Sequence, residues 1–413
     1  MTPERQLDRL EALFRHSYPV FWVKYSGEID EPIMRKAFTL LAEYYPALRG
    51  VILNTGDKFS FSVSNNTPPE FTSLTGTEDD LRNSARYRPH HTRGLSRLIL
   101  VKGEDSGYVG LQVCHTFFDG PSLVTTLADL WQIYSDLING SMLMPRDSRS
   151  IPAPPSTVME SIWNEEDLAG QNGKSSNSSY EFPDRQEIDS DVFAIEHRAV
   201  LSIDETEGLI HASRNIQTSL HQLICGVVLN ALRGEMRTTQ STTPMSCISQ
   251  VDIRNRVVPR IRPMEIGLVT FVINTHLDVR PDDDSVSIAK YIKDHLDTEI
   301  PRRLRSDPVQ DDKRTRGGAK APERTCSAFV LNAGAVPKFT HPKNLDTIDF
   351  GIITDHMINP NLQRIKIPEF HVYSYDGRLS IIGRFPRDIF TESATTGIVK
   401  RYTEDLIAAG KAT

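Results

Sequence analysis

Cys114-His115-Thr116-Phe117-Phe118-Asp119-Gly120 decides the reading of this 413-residue chain, because the hydropathy pattern changes period across it. Ahead of it, residues 108–114 are apolar and β-prone over the length of one buried strand, and residues 95–101 form a similar run beyond a turn at 103–107. The two runs predict a hairpin. Behind it, Leu123, Leu127, Leu130, Tyr134 and Leu137 recur at three- and four-residue spacing, as an amphipathic helix with one buried face requires. His115 is thereby placed at a strand-to-helix junction. Loops held by rigid elements are where catalytic side chains concentrate, and imidazole is the side chain whose ordinary pKa lies near neutrality. His115 is therefore a candidate general base; the alternative for a lone histidine is a core ring bonded to a backbone carbonyl.

Working outward, the pattern predicts a helix from Pro3 to about Phe14, with Thr2 as its cap and Pro3 as its first residue. A strand is expected near 20–25, a helix at about 32–44, and strands around 51 and over 59–63. From about 141 to 190 the chemistry changes to that of a linker: prolines at 145, 152, 154 and 155 precede a polar run at 170–179. A second structured unit begins near Val192 with a strand through Leu201 and Ile203, and Asp204 opens a helix. The next helix, roughly 219–233, sets Leu220, Leu223, Ile224, Val227, Val228, Ala231 and Leu232 on one broad face that reads as core packing. Strands are expected at 246–253, 268–277, 327–332 and 348–353, then a hairpin turning at Asp376-Gly377 and a last helix over about 392–408.

A strongly basic face, the usual footprint of a nucleic-acid binder, does not fit a net charge of -7. No run of about eighteen apolar residues exists, and the first residues lack the apolar segment of a secretory signal, so no membrane span is expected. Cys114, Cys225, Cys247 and Cys326 are widely spaced, without a paired pattern for zinc or redox chemistry, which fits a reducing, cytoplasmic setting. Asn65-Asn66-Thr67 and Asn177-Ser178-Ser179 match the glycosylation pattern, and without an entry signal are read as chance. No metal site is expected: His90-His91 are adjacent, which does not place both rings on one ligand sphere, and Asp282-Asp283-Asp284 reads as a solvated turn. The chain carries no phosphate-binding glycine loop and no G-x-S-x-G nucleophile elbow. Residues 301–318, rich in arginine and lysine, read as a solvated loop, with the phosphates of coenzyme A or an acidic carrier face as the functional alternative.

The string His115-x-x-x-Asp119-Gly120 resembles the HxxxDG signature of the chloramphenicol-acetyltransferase-like superfamily, which includes BAHD-type acyltransferases, polyketide-associated acyltransferases and condensation domains of peptide synthetases. Further matches follow in that superfamily's order. Tyr45-Pro46-Ala47-Leu48-Arg49 resembles its "hPaLR" segment, and Val251-Asp252-Ile253-Arg254-Asn255-Arg256 its "VDxRxR" strand. Ile266-Gly267 with Phe271-Val272-Ile273-Asn274-Thr275 is similar to a stretched "IGxFVNT", and Val330-Leu331-Asn332-Ala333-Gly334 to "SNxG". The chain departs from two subfamilies: Cys114 stands where condensation domains carry a second histidine, and the DFGWG segment of plant enzymes is missing. A stand-alone fungal or polyketide-associated acyltransferase is the nearest likeness.

The resemblance implies an α/β fold of two lobes, residues 1–185 and 191–413, each a mixed sheet backed by helices with an active-site channel between them. It implies an acyltransferase that moves an acyl group from a thioester to a hydroxyl or amine of a small secondary-metabolite acceptor, directly and in a ternary complex. His115 would be the base, acyl-CoA the co-substrate in place of a permanently bound cofactor, and a monomer the working state. Asp119 would pair with an arginine of the second lobe, Arg254 ahead of Arg256. Gly120 would permit a turn or a close backbone approach. Asn332 would face the oxyanion. Two alternatives stand: a free-standing condensation-type enzyme taking substrates from a carrier protein, and a non-catalytic binding module. A Cys114-His115 nucleophilic pair is disfavoured because adjacent strand residues point to opposite faces.

Overall fold

The predicted hairpin forms as β6 (Ser96–Lys102) and β7 (Ser106–Val113), antiparallel, with Leu98 opposite Leu111 and Leu100 opposite Val109. In the computed structural model the described residues are 4–54, 56, 58–63, 68–87, 89, 94–141, 151, 154, 194–235, 241–257, 260–262, 265–304, 328–354, 367–387 and 389–411. Thr2, Pro3, His90, His91, Cys326, both glycosylation-like triplets, most of the 141–190 linker and the basic stretch from Arg305 onward lie outside them. The chain forms two compact units. One draws on Met1–Met159, Val257–Val269 and Pro337–Pro360, the other on Glu160–Arg256, Thr270–Val336 and Asn361–Thr413.

The first unit opens differently from the expectation. A short strand, β1 (Glu4–Gln6), precedes a helix of six residues, α1 (Arg9–Phe14). The cap is Asp8, which accepts from the Glu11 backbone while the Glu11 carboxylate accepts from the Asp8 N–H. β2 (Val20–Gly27) and α2 (Glu31–Tyr44) follow, the latter capped by Asp30 and burying Met34, Ala37, Phe38, Leu41 and Ala42 at helical spacing. After a 3-10 turn (Pro46–Arg49) come β3 (Gly50–Asn54), β4 (Phe59–Val63), β5 (Glu70–Thr75) and α3 (Glu78–Ala85). Beyond β7 runs α4 (Gly120–Ile138), with Leu123, Leu127, Leu130, Trp131 and Tyr134 buried.

β1, β4 and β3 make a three-stranded antiparallel sheet. The main sheet has five strands, and its first edge is a visitor from far along the chain: the order is β12-β2-β7-β6-β5, with β12 (Leu345–Ile353) antiparallel to β2. Gly351 lies opposite Trp22, and a Cβ there would come within 2.2 Å of the indole, so the glycine makes room for the ring. A division of the chain into 1–185 and 191–413 is thus corrected, since residues 257–269 and 337–360 belong to the first unit. One face of this sheet packs Val20, Trp22, Ile99, Val101, Tyr108 and Ile353 against Leu81 and Ala85 of α3. α2 and α4 pack on each other, tied where the Tyr45 hydroxyl meets Asp129 at 2.7 Å.

The second unit comprises β8 (Ala194–Val200), α5 (Ile203–Asn215), α6 (Leu220–Arg233), β9 (Thr243–Asp252), β10 (Thr270–Val279), α7 (Ser285–Arg303), β11 (Ala328–Val336), β13 (Glu369–Tyr375), β14 (Arg378–Pro386) and α8 (Glu392–Lys411). Its sheet runs β10-β9-β11-β13-β14-β8, antiparallel except where β11 lies parallel to both neighbours. α5 is capped by Ser202 with Glu205 in a capping box, not by Asp204. Asp284 caps α7, and Pro301, Arg302 and Arg303 end that helix where a loop was expected. Asp376 and Gly377 take positive φ of 48° and 76°, the backbone that a tight hairpin turn needs. Among the described residues no helix is long and apolar enough to cross a membrane, and no cluster of His, Cys, Asp and Glu could hold a metal ion.

Candidate active site

His115 follows the end of β7, and its loop is held by backbone bonds on three sides. The His115 N–H donates to Ser17 O at 2.8 Å, the Cys114 N–H to Leu95 O at 2.8 Å, and the Val113 N–H to Pro19 O at 3.3 Å. The imidazole lies against the Phe14 ring, centroids 4.8 Å apart, and remains partly exposed. Its Nδ1 is 2.6 Å from the Phe118 carbonyl oxygen. A carbonyl only accepts, so Nδ1 carries the proton and Nε2 carries the lone pair. Burial, the largest influence, holds the imidazole pKa below the ordinary 6.5; the Phe118 carbonyl and the charge of Asp119 pull it part of the way back. The ring is therefore neutral at neutral pH, with its basic nitrogen at Nε2.

Asp119 is not the orienting partner of this imidazole. It is the N-cap of α4: Oδ1 accepts from the Ser122 N–H at 3.0 Å and the Ser122 hydroxyl at 2.6 Å, and Oδ2 accepts from the Val269 N–H at 3.0 Å. The carboxylate is fully buried. Phe118 also forms a parallel bridge with Gly267. The segment around Ile266-Gly267, some 150 residues downstream, thus closes over the motif within the same unit.

Gly120 departs from the expectation. A Cβ at this position would meet nothing within 4 Å, so neither a close backbone approach nor a crowded neighbour demands glycine there. It is the first residue of α4, with open space above it. Cys114 is fully buried, and burial pushes its thiol pKa up. Its Sγ approaches Thr116 Oγ1 at 3.3 Å and Arg15 O at 3.5 Å, contacts of a packed thiol.

Arg254, Arg256 and Asn332 belong to the second unit. Arg254 is buried and its Nη1 lies 3.2 Å from Asp252 Oδ1, while Arg256 is exposed. Asn332 sits at a bulge in β11, where its Oδ1 accepts the Gly334 N–H at 2.8 Å and Gly334 takes φ +74°. Sequence reading missed Phe14, Ser17, Thr116, Ser122 and Val269. Ser122 was findable, since a hydroxyl three residues after an N-cap Asp lies within its reach; Thr116 stands inside the motif but its partner does not, and Phe14, Ser17 and Val269 come from distant chain.

Residues 191–383 match a family described as phthiocerol/phthiodiolone dimycocerosyl transferase, C-terminus. The chain is similar to a nonribosomal peptide synthetase, Ao415, of Arthrobotrys oligospora, 25% identical over 151 residues, which are 34% of this chain and 4% of that protein. It therefore spans only a small part of that relative's length. Among solved structures it resembles polyketide synthase associated protein 5 from Mycobacterium tuberculosis, with a TM-score of 0.76 and 17% identity over 99% of both chains. It also resembles TRI3 trichothecene 15-O-acetyltransferase from Fusarium sporotrichioides, with a TM-score of 0.69 and 11% identity over 99% of this chain and 95% of that one.

Proposed function

We propose that the chain is an acyltransferase of the chloramphenicol-acetyltransferase-like superfamily in which His115 is the general base, a reading supported by the family match over residues 191–383 and by the fold it shares with known acyltransferases. The observation that carries this is the bond from Nδ1–H to the Phe118 carbonyl, which leaves a neutral ring with its lone pair on Nε2. In the proposed reaction Nε2 takes the proton from the acceptor hydroxyl or amine as that group attacks the thioester carbonyl. A tetrahedral oxyanion forms, the C–S bond breaks, and the proton on Nε2 passes to the departing thiolate. General base catalysis of this kind contributes roughly 10²–10⁴ in rate. No covalent enzyme species is formed: the buried, thiol-form Cys114 is not the nucleophile.

We assign the donor as acyl-CoA and the acceptor as a small secondary metabolite, handled in a ternary complex by a monomer in the cytosol. The free cysteines among the described residues, Cys114, Cys225 and Cys247, agree with a reducing setting. Asp119 shapes the loop, and Arg254 is the arginine proposed to answer its charge. Arg254 is preferred over Arg256 because it is the buried one of the two. Asn332 is proposed to donate to the oxyanion through its amide nitrogen, its oxygen being committed to Gly334. The likeness to a peptide synthetase favours one second reading, a condensation-type enzyme fed by carrier-bound substrates.

The test is transfer from a panel of acyl-CoA and carrier-bound donors to alcohols and amines, with His115→Ala in parallel. The alanine variant is expected to fold and to lose roughly 10²–10⁴-fold in kcat. Near-wild-type turnover would end the assignment of the base, and transfer from carrier protein alone would establish the second reading.

A further inference from the structure

Four contacts join residues 11–17 of the first unit to the His115 loop through α1 and the turn after it. The Thr116 hydroxyl donates to Glu11 O at 3.0 Å, the Cys114 thiol reaches Arg15 O, the His115 N–H donates to Ser17 O, and the Phe14 ring rests on the imidazole. All four depend on where α1 sits. A helix of six residues is too short to hold its own position, so something else must fix it.

The fixing group is an ion pair whose carboxylate is buried and whose guanidinium is 20% exposed. Arg5 presents Nη1 and Nη2 to Glu11 Oε2 and Oε1 at 2.7 and 2.5 Å, a bidentate fork. Glu11 Oε2 also accepts the Asp8 N–H at 3.0 Å, and the Glu11 side chain is only 1% exposed. Arg5 is itself anchored. β1 pairs with β4, setting Arg5 opposite Phe61, and the Phe61 ring packs at 4.4 Å on Phe117 inside the motif. The Arg5 guanidinium lies 5.4 Å from the centroid of that same Phe117 ring. The pair therefore grips the loop twice, through α1 and through Phe117. A carboxylate this buried is expensive without its cation, so the fork keeps Arg5 and α1 together.

We propose that Arg5 and Glu11 are positioning residues for His115, holding α1 and the motif loop so that Nδ1–H stays on the Phe118 carbonyl and Nε2 stays aimed at the acceptor. The role rests on the reading of His115 as the base, and it can be examined without turnover. The experiment uses the full chain with ring-¹⁵N histidine, the His115 signals being assigned by their loss in His115→Gln. Tautomer and titration are compared by NMR in wild type, Arg5→Met, Arg5→Lys and Glu11→Gln, alongside kcat, KM and thermal melting.

In Arg5→Met and Glu11→Gln the His115 ring is expected to lose its uniform Nδ1–H tautomer. kcat is expected to fall by about ten- to a hundred-fold with KM little changed, the size expected of a misplaced reacting group. Arg5→Lys keeps the charge without the fork and should recover part of the loss. Should Arg5→Met fail to fold, Glu11→Gln keeps the volume, the Asp8 contact and an acceptor for Arg5, and decides the matter. An unchanged tautomer and titration in folded Glu11→Gln, with only the melting temperature lowered, would overturn the proposal. An altered tautomer in a protein whose wild type transfers no acyl group would uphold the positioning and sink the transferase reading instead.

Discussion

Replacing Asp119 by alanine is expected to weaken the first unit by about 1.5–5 kcal/mol, before any effect on rate is considered. The number comes from three of the contacts that its carboxylate accepts. The cap on α4, made through the Ser122 N–H at 3.0 Å, is worth about 1 kcal/mol, with a range of 0.5–2. The Val269 N–H at 3.0 Å is left buried without this acceptor, which costs about 1–3 kcal/mol. The Ser122 hydroxyl adds little, because it can turn toward Gly267 O, already 3.5 Å away. Against a total stability of about 5–15 kcal/mol the loss is large enough to lower folded yield. Trp22 and Trp131 are both buried in this unit, so tryptophan fluorescence in urea, with Trp163→Phe as the background, follows its unfolding. With a slope of about 3 kcal/mol/M the midpoint should fall by about 0.5–1.7 M. Asp119→Asn keeps one oxygen and should fall between wild type and Asp119→Ala. Ser122→Ala should cost less in the Asp119→Ala background than alone, since the two share a contact. A midpoint shift below about 0.2 M in Asp119→Ala would refute the capping account.

The acid limb of kcat/KM should lie below 6.5, because burial lowers the His115 pKa and the base is lost only as pH falls through that lowered value; a limb above 6.5 would contradict it. The same sign applies to stability: the ring protonates more readily when unfolded, so its contribution is present above 6.5 and is lost as pH falls toward the folded value. Cys114→Ala should keep turnover within about tenfold of wild type, because the thiol only packs, and complete loss in a folded variant would reinstate a cysteine nucleophile. Gly120→Ala should melt no lower than wild type, since its Cβ meets nothing and alanine is the better helix former by up to about 1 kcal/mol; a clear drop would disprove the open space.

The strand-to-helix switch at His115 was legible because it depends on local period alone, and so were α2, α4, α6 and the Asp376-Gly377 hairpin. α1 was misread because β1 exists only through its pairing with β4, some 55 residues away, although Asp8 and Glu11 carried a capping-box signal. β5 and α3 went unread for lack of apolar content: α3 buries only Leu81 and Ala85. α7 was overlooked although Ile288, Ala289, Ile292, Leu296 and Ile300 carry the helical period, because its acidic cap and arginine end resemble loop chemistry. The motif His115-x-x-x-Asp119 was visible as a pattern. What holds it was not, since Thr116 bonds to a carbonyl 105 residues earlier and Asp119 to an amide 150 residues later.

The late arrival of β12 has a consequence for biosynthesis. Until residues 345–353 leave the ribosome, the Val20–Gly27 strand presents a bare, apolar border with unpaired amides and carbonyls. At about 5–20 residues per second that border waits roughly 15–60 s for its partner. A nascent or truncated chain stopping near Val336 would therefore be prone to edge-to-edge aggregation, and a fragment ending at 185 should need β12 supplied as a separate or spliced-in peptide before it becomes soluble.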